Sequence, residues 1–598
     1  MPFDGLVLAA VRKELEHKLT GGRIERIYQP QQEELVLSVH RPGARYRLLI
    51  SASSQNARVH LTTATRENPA APPLYCMVLR KHLEGGRIAG FEQAGLERVL
   101  VMKVESRDEL GRASEKHLVC EIMGKHSNII LMDPSTGTII DGIKRYSHAV
   151  SRYREVLPGK PYVFPPSQGK LDPFSVNEEQ FSLACLESPL ETALPQLLQK
   201  RFEGLSTVTC REIVYRAGLP LETLLDQCGE YELRVLWQSF SSFMAKAAQG
   251  SFEPCLTAGK KGEFLDFAAV NLTHTGEKIM GGEMNTLLNL FYTAREQLEK
   301  LNKTRNSVIS LLNKEMARLE KKLDLYAKSL DETAGAEKFR LYGELLTANL
   351  YRLEKGCPEA VLENYYDERR SRISIPLDPQ LTPAENAQAY FKKYSKAKNT
   401  RQALEALAAR AREELAYLEE VKTAVEMAAG ISELDEIKQE LAEQGYLKQP
   451  APEPGARKTK KERQVPSPLS FVSTDGFQIF IGRNNKQNDY LTQKIARDND
   501  IWLHARDIPG AHVIIKTEGK EVPPATLEEA AGLAAYFSKG RNSKIVPVDY
   551  TFKKHVRKPK GARPGMVVYD HQKTIMAAPA GEAAERLNFQ QPGGNDTG

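Results

Sequence analysis

Leu312, Met316, Leu319, Leu323, Tyr326 and Leu330 alternate spacings of four and three. Such a seam constrains a chain more than any composition does. It demands a long helix, and it demands a partner for that helix. The helical run extends from about Met284 to Leu330. Upstream, Phe291, Ala294, Leu298 and Leu301 keep the alternation in a shifted phase, which predicts a discontinuity. A second run, from about Ala387 to Leu441, carries Leu404, Leu407, Ala411, Leu415, Leu418 and Val425. At about 1.5 Å per residue, each run spans roughly 70–80 Å. A compact insert at about 336–385 separates them. Two long helices around a small insert point to an antiparallel coiled-coil arm with a tip, over 281–448. A dimerising coil satisfies the same periodicity, and the pattern alone leaves both open.

With 598 residues the chain is long enough for several domains. Its hydrophobic content of 41% suits packed domains and not a membrane protein. No apolar run approaches the roughly 20 residues a membrane-crossing helix needs. The start, MPFDGLVLAAVRKELEHK, has no basic region before its apolar part, so no signal peptide and a cytoplasmic location are expected. The net charge of +6 is mild, but basic residues concentrate at 457–463 and 553–563. The seven cysteines form no CxxC and no Cys/His spacing suited to zinc. They are expected to be reduced and structural, with no metal and no cofactor.

The fold class is read as multidomain α+β. Residues 1–172 form a mixed α/β domain, with strands at 34–40, 46–51, 98–105, 116–122 and 127–132. Residues 173–280 hold short helices and then short strands. Within them, LQKRFEGLSTVTCREIVYRAGL resembles a helix-hairpin-helix joined near Gly204. After the arm comes a basic Pro-rich linker, 449–466, then an α/β domain, 467–580, and a disordered tail, 581–598.

Nothing in the chain resembles a catalytic triad. The polar groups look placed to hold RNA. GRNNKQND enters a helix that Asn488 or Asp489 can cap, and Arg483, Asn484, Asn485 and Lys486 offer amides and charge to a phosphate. In DIWLHARD, strand alternation sets Trp502, His504 and Arg506 on one face, where planar groups can stack on bases. Lys553, Lys554, Arg557 and Lys558 form a basic rail for backbone phosphates. Near the start, Glu97, Arg98, Glu121 and Lys125 can reach base edges or phosphate around the turn EIMGKHSN.

Several motifs run together in one order: MPFDG, PPLYCMVLRKHLEGGRI, GLERVL, EIMGKHSNIIL, the helix-hairpin-helix piece, NAQAYFKKYSKAKN, GRNNKQNDYLT, DIWLHARDIPGAHV and VDYTFKKHVRKPKGARPG. In this the chain resembles the RqcH/NEMF (NFACT) family, often labelled fibronectin-binding protein A, and in particular its bacterial form. The resemblance implies a first domain with the formamidopyrimidine-DNA glycosylase fold. It implies a factor that binds the obstructed large (50S) ribosomal subunit carrying peptidyl-tRNA and contacts its rRNA. Such a factor recruits tRNA, expected to be alanyl-tRNA, and drives mRNA-independent alanine tailing of the stalled chain, with a small RqcP-type accessory factor as a further partner. Peptide bonds are then made by the ribosome, and this chain has no catalytic residue. By position, Glu97 and Arg98 match the family's acidic–arginine pair for the anticodon arm, with glutamate where aspartate is usual. Glu121, Ile122 and Met123 match the adjacent contact strand, with Lys125 close by. Two alternatives follow from the same motifs. One is a surface adhesin for fibronectin. The other is a glycosylase using Pro2 as a nucleophile, although Phe3 stands where those enzymes have glutamate.

Overall fold

The computed structural model describes residues 3–107, 111–149, 153–166, 168–259, 262–275, 278–333, 335–367, 370–448 and 468–581. Pro2, the linker expected at 449–466 and all but the first residue of the tail expected at 581–598 lie outside the described residues. The chain divides into two compact units, with the division after Leu298.

In the first unit, helix α1 (Gly5–Leu19) is capped by Asp4, whose carboxylate accepts the Val7 N–H. The strands are β1 (Arg23–Gln31), β2 (Glu34–Arg41), β3 (Ala44–Ser51), β4 (Arg58–Leu61), β5 (Arg87–Gln93), β6 (Val99–Arg107), β7 (Ala113–Glu121), β8 (Asn128–Asp133) and β9 (Thr138–Gly142), with helix α2 (Leu74–Leu83) before β5. They form one sheet in the order β4-β3-β2-β1-β5-β6-β7-β8-β9. Alternation sends Ile24, Ile27, Leu37, Val39, Leu48 and Ile88 into a core shared with α1 and α2.

The five strands expected from the sequence overlap β2, β3, β6, β7 and β8. Strands β4 and β9 were not anticipated, and neither were β1 and β5. Both follow a helix through Gly-Gly-Arg-Ile, so α1–β1 and α2–β5 are one repeated unit. The two copies cross at a local two-fold. Gly21 N–H donates to Ile88 O and Gly85 N–H to Ile24 O, each at 2.8 Å; Ile24 N–H donates to Gly86 O and Ile88 N–H to Gly22 O, each at 2.9 Å.

Helices α3 (Glu178–Leu186), α4 (Leu194–Arg201), α5 (Thr207–Arg216) and α6 (Glu230–Ala248) follow, then a small sheet of β10 (Cys255–Ala258), β11 (Phe264–Ala268) and β12 (Lys278–Gly281). Helices α4 and α5 form a hairpin around Gly204, whose φ is +70°. The Gly204 carbonyl accepts the Gly5 N–H at 2.8 Å. Asp4 binds the other side, accepting from Ser206 N–H at 3.0 Å and Thr209 Oγ1 at 2.8 Å. A Cβ on Gly204 would sit 2.4 Å from the Leu96 carbonyl oxygen. Gly204→Ala is therefore expected to destabilise the unit by about 2–4 kcal/mol, combining overpacking with a left-handed backbone. Chemical denaturation checks it, and an unchanged midpoint would show that the hairpin can shift away from Leu96.

Helix α7 (Met284–Thr333) starts in the first unit, where Leu287, Leu288, Phe291 and Tyr292 join the core. In the second unit it pairs with α9 (Pro383–Met427). Leu301, Val308, Leu312 and Leu319 pack with Ala411, Tyr417, Leu418, Val421 and Val425. Arg305 binds the carbonyls of Val425 and Ala428, at 3.3 and 2.6 Å, while Tyr394 OH lies 3.4 Å from Glu337 towards the other end. The pair is thus antiparallel and lies within one chain. The change of phase expected above Leu301 marks where the helix leaves one core for the other. Helix α8 (Ala336–Ala348) and strands β13 (Glu359–Glu363) and β14 (Arg372–Pro376) form the insert, packed on Ala387 and Tyr390 of α9.

The second long helix does not run to Leu441. It stops at Met427, and α10 (Ile431–Glu443) begins after Gly430. The Glu433 carboxylate takes the freed Ala429 N–H at 3.1 Å. Helix α10 folds back on α9, with Tyr417 OH donating to Glu440 at 2.8 Å and Tyr446 OH to Glu414 at 2.6 Å.

The last part holds β15 (Leu469–Val472), β16 (Gln478–Ile481), α11 (Asn485–Tyr490), β17 (Ile501–Ala505), β18 (Val513–Ile515), α12 (Pro524–Tyr536), β19 (Val546–Phe552), β20 (Val556–Arg557), β21 (Val568–Tyr569) and β22 (Lys573–Ala577). Six of these strands form a sheet in the order β15-β16-β18-β17-β19-β22. One face is covered by α12, whose Ala530, Ala531, Ala534 and Ala535 let it lie close. The other carries Leu491, Trp502, Ile514 and Val556.

Candidate RNA-binding surfaces

Strands β6 and β7 pair with Val99 opposite Glu121, and Ile122 N–H donates to Arg98 O at 2.8 Å. That register brings Glu97 and Arg98 beside the turn at Met123 and Gly124. The four residues line a cleft of about 370 Å³, together with Lys170 and Glu203. Burial, and then a hydrogen bond with Glu97, push the Glu203 carboxyl up to about 7. Burial, and then the charge of Arg98, hold the Lys170 ammonium below its usual value. The cleft is therefore polar and of mixed charge, and its lining groups are partly buried.

Of the expected contact strand only Met123 lines this cleft; Glu121, Ile122 and Lys125 do not. Glu121 is buried and its carboxylate is taken by Arg154, at 2.6 and 2.5 Å, and by Tyr162 OH at 2.9 Å. It has little acceptor capacity left for a base. Ile122 is in the core. Met123 is half-buried and Lys125 is exposed. Glu203 and Lys170 were missed by sequence reasoning, because they lie far along the chain and no local pattern marks them.

The GRNNKQND loop is placed differently from the expectation. Asn484, not Asn488 or Asp489, caps α11, accepting from Gln487 N–H at 2.9 Å. The Asn488 side chain accepts the His512 N–H at 3.0 Å, and Asp489 binds Lys558. The four expected phosphate ligands instead meet α10. Arg483 pairs with Glu433, Asn484 Nδ2 with Glu436 at 2.7 Å, Asn485 Nδ2 with Glu440 at 3.0 Å, and Lys486 with Glu443 at 3.0 Å. Glu433, Glu436, Glu440 and Glu443 recur at three, four and three residues, so they share one helix face. That face occupies the seat in which a phosphate was expected.

Burial pushes the Glu440 carboxyl up to about 7, and hydrogen bonds from Tyr417 and Asn485 offset this only in part. Glu420 also rises to about 7, by burial and then by the charge of Glu440. Both folded values exceed the usual 4.5. Their contribution to stability is complete below about 4.5 and is lost as pH rises through about 7. The melting temperature of this part is expected to fall from pH 6 to pH 8. Glu440→Gln keeps one acceptor oxygen, the atom to which both Tyr417 and Asn485 donate, and should flatten that dependence; an unaltered pH profile would sink the assignment.

Trp502 is fully buried, packed against Tyr569, His512 and His504 at ring distances of 4.8, 5.2 and 5.7 Å. It cannot stack on a base from there, which corrects the reading of an open face. Burial holds the His504 imidazole down at about 4, so it carries no charge for a phosphate at neutral pH. Arg506 is exposed, 3.5 Å from Asp507. Along the rail, Lys553 lies 3.6 Å from Asp498 and Arg557 3.3 Å from Asp570, while Lys558 binds Asp489. Lys554 is exposed over the Phe552 ring. Arg506, Lys554 and Arg557 are the rail and strand cations most open to a ligand. His555, Asp570 and His571 could place three ligand atoms within 4.8 Å of one another, but Asp570 is shared with Arg557, whose fixed charge opposes a cation.

These features define a multidomain α+β protein whose notable surfaces are charged and polar. Among the described residues no helix is long and apolar enough to cross a membrane. A model of the NFACT N-terminal and middle domains matches residues 4–463, and one of the NFACT protein RNA binding domain matches 468–570. The Rqc2 homolog RqcH of Bacillus subtilis is 39% identical over 98% of this chain and 100% of its own. The N-terminal part of the fibronectin/fibrinogen-binding protein from Streptococcus suis aligns at 32% identity over 49% of this chain and 99% of its own, with a TM-score of 0.41. The Lactococcus lactis Fpg (MutM), solved with DNA, aligns at 14% identity over 41% of this chain and 79% of its own, with a TM-score of 0.23. The chain belongs to the NFACT family, the RqcH/Rqc2/NEMF ribosome quality-control proteins, and carries that family's RNA-binding domain.

Proposed function

We propose that this chain binds the large ribosomal subunit left obstructed by peptidyl-tRNA and positions a further tRNA there. The added residue is alanine, the peptide bond is made by the ribosome, and the tail marks the stalled product for degradation. The observation that carries the reading is the cleft at Glu97 and Arg98, with Met123 and Gly124 across it. An acid and a guanidinium at one rim can read base edges, and no nucleophile is needed for that role. The C-terminal cations Arg506, Lys554 and Arg557 hold RNA backbone, with Lys553 and Lys558 available once their aspartates are displaced. A small RNA-binding accessory factor completes the assembly, which acts in the cytoplasm on ribosomes.

The test is a pull-down of the tagged protein from its own cells, with sequencing of bound RNA. Large-subunit rRNA without small-subunit rRNA, plus one enriched tRNA, supports the reading and names the amino acid. Absence of both would overturn it and favour the alternative of a surface adhesin for fibronectin.

A further inference from the structure

The outer face of the first sheet carries a ladder of basic residues. Strand pairing sets Arg87, Arg23, His40 and Arg45 opposite one another across β5, β1, β2 and β3. The next row holds Arg26, Ser38 and Arg47. All six basic residues are exposed. Their register is fixed from the other side, because Ile24, Ile27, Val39, Leu48 and Ile88 are core residues. A slip by one residue would bury the cations and expose that core.

Like charges directly opposite on neighbouring strands are destabilising. Among the described residues few carboxylates offset them, although Arg87 donates to the Gly21 carbonyl at 3.2 Å and Arg47 to the Ala64 carbonyl at 3.3 Å. Arg45 lies 3.5 Å from Glu25 and Arg26 3.9 Å from Glu84. Both arginines are mostly exposed, and such pairs contribute little. Arg23, Arg47 and Arg87 have no carboxylate within ion-pair distance among the described residues. Arg23 and Arg87 are the equivalent residues of the two Gly-Gly-Arg-Ile repeats, so the local two-fold sets the two arginines opposite each other in register, each guanidinium lying by the first glycine of the other repeat. At the Arg45–Arg47 end the ladder opens into a groove of about 350 Å³ that also holds Lys18.

Four strands at about 4.8 Å spacing spread the row over about 14 Å, which suits a chain of anions better than a single one. Strand β6 links the ladder to the Glu97–Arg98 cleft. It begins beside Arg98 and reaches Glu105, which stands opposite Arg87 in the strand register. At about 3.3 Å per residue that is roughly 20 Å, within reach of one folded RNA. Resting on the function proposed above, we propose that the ladder binds the phosphate backbone of the same tRNA whose anticodon arm enters the cleft.

The test uses the full chain with Arg23, Arg45 and Arg87 all changed to glutamine, titrated with the enriched tRNA over a range of salt. Each lost phosphate contact should flatten the slope of log affinity on log salt by about 0.7–0.9. Affinity is expected to fall roughly tenfold or more at about 0.1 M salt and the slope by about 2–3. The melting temperature should hold or rise, since opposed like charges are removed. The triple lysine variant should keep the slope. Wild-type protein that fails to bind tRNA would overturn the proposed function and the ladder with it. Wild-type binding with an unchanged slope in the glutamine variant would overturn the ladder alone. Loss confined to isolated large subunits would overturn the tRNA assignment in favour of ribosomal RNA. Weakened binding with a lowered melting temperature and no rescue by lysine would reduce the ladder to a structural role.

Discussion

Trp502→Ala is expected to cost about 3–5 kcal/mol, among the largest effects of any single change in the C-terminal part. The indole is fully buried between Tyr569, His512 and His504 on the sheet face opposite α12. Deleting it leaves a cavity whose lining comes from β17, β18 and the segment around Val556, none of which can close on it alone. Its Nε1 has no hydrogen-bond partner, so the ring is held by packing and not by a polar anchor. Trp502→Phe should therefore retain a large share of the stability, because it keeps aromatic contact and removes an unpaired donor. Urea denaturation of the three proteins reads the difference. A base-stacking residue behaves in the opposite way: its alanine variant would melt normally and lose RNA affinity. Arg506→Ala is the companion, expected to leave stability within about 0.5 kcal/mol, as exposed substitutions usually do.

The reason Trp502 was misread is instructive about what a sequence holds. Alternation correctly separates one strand face from the other, but not which face water reaches. Leu491 and Val556 cover the tryptophan, and they come from segments on either side of its strand. The same limit applies to the GRNNKQND loop. Its basic and amide groups are plain in the sequence, and so is the acidic stripe of Glu433, Glu436, Glu440 and Glu443. That the two are partners depends on a pairing some 45–50 residues apart, across a linker with no periodicity to set its path. By contrast, the coiled coil was legible because heptad spacing is a physical demand made by each helix separately. Even there, the break before Gly430 was missed. A glycine inside an apolar run is tolerated in many helices, and only the Glu433 contact with the Ala429 N–H shows that this one ends. At the cleft, Glu97 and Arg98 stood out beside the turn EIMGKHSN, and the resemblance matched them to an anticodon-arm contact. Glu203, which hydrogen-bonds with Glu97, needed the fold.

Reversing both charges, Glu97→Arg with Arg98→Glu, is expected to abolish tailing while leaving large-subunit binding largely intact. The backbone at this point does not depend on either side chain. Ile122 N–H holds Arg98 O at 2.8 Å, and Gln93 Nε2 holds the Glu97 carbonyl at 2.9 Å. Both side chains are only half-buried, so the double variant should fold. The local field, however, inverts. Glu203 loses the carboxyl neighbour that raises it and gains a guanidinium, while Lys170 loses a repelling cation and gains an acid. Each charge-assisted contact to RNA is worth about 1.5–3 kcal/mol, so losing two corresponds to roughly 10²–10⁴ in tRNA affinity. The C-terminal cations are untouched, which is why subunit binding should persist. Cosedimentation with large subunits, tRNA titration and a tailing assay, run on one preparation with its melting curve, separate the possibilities. Equal loss of tRNA and subunit binding with a lowered melting temperature would mean a folding defect. Full tailing by the well-folded double variant would remove the cleft from the mechanism.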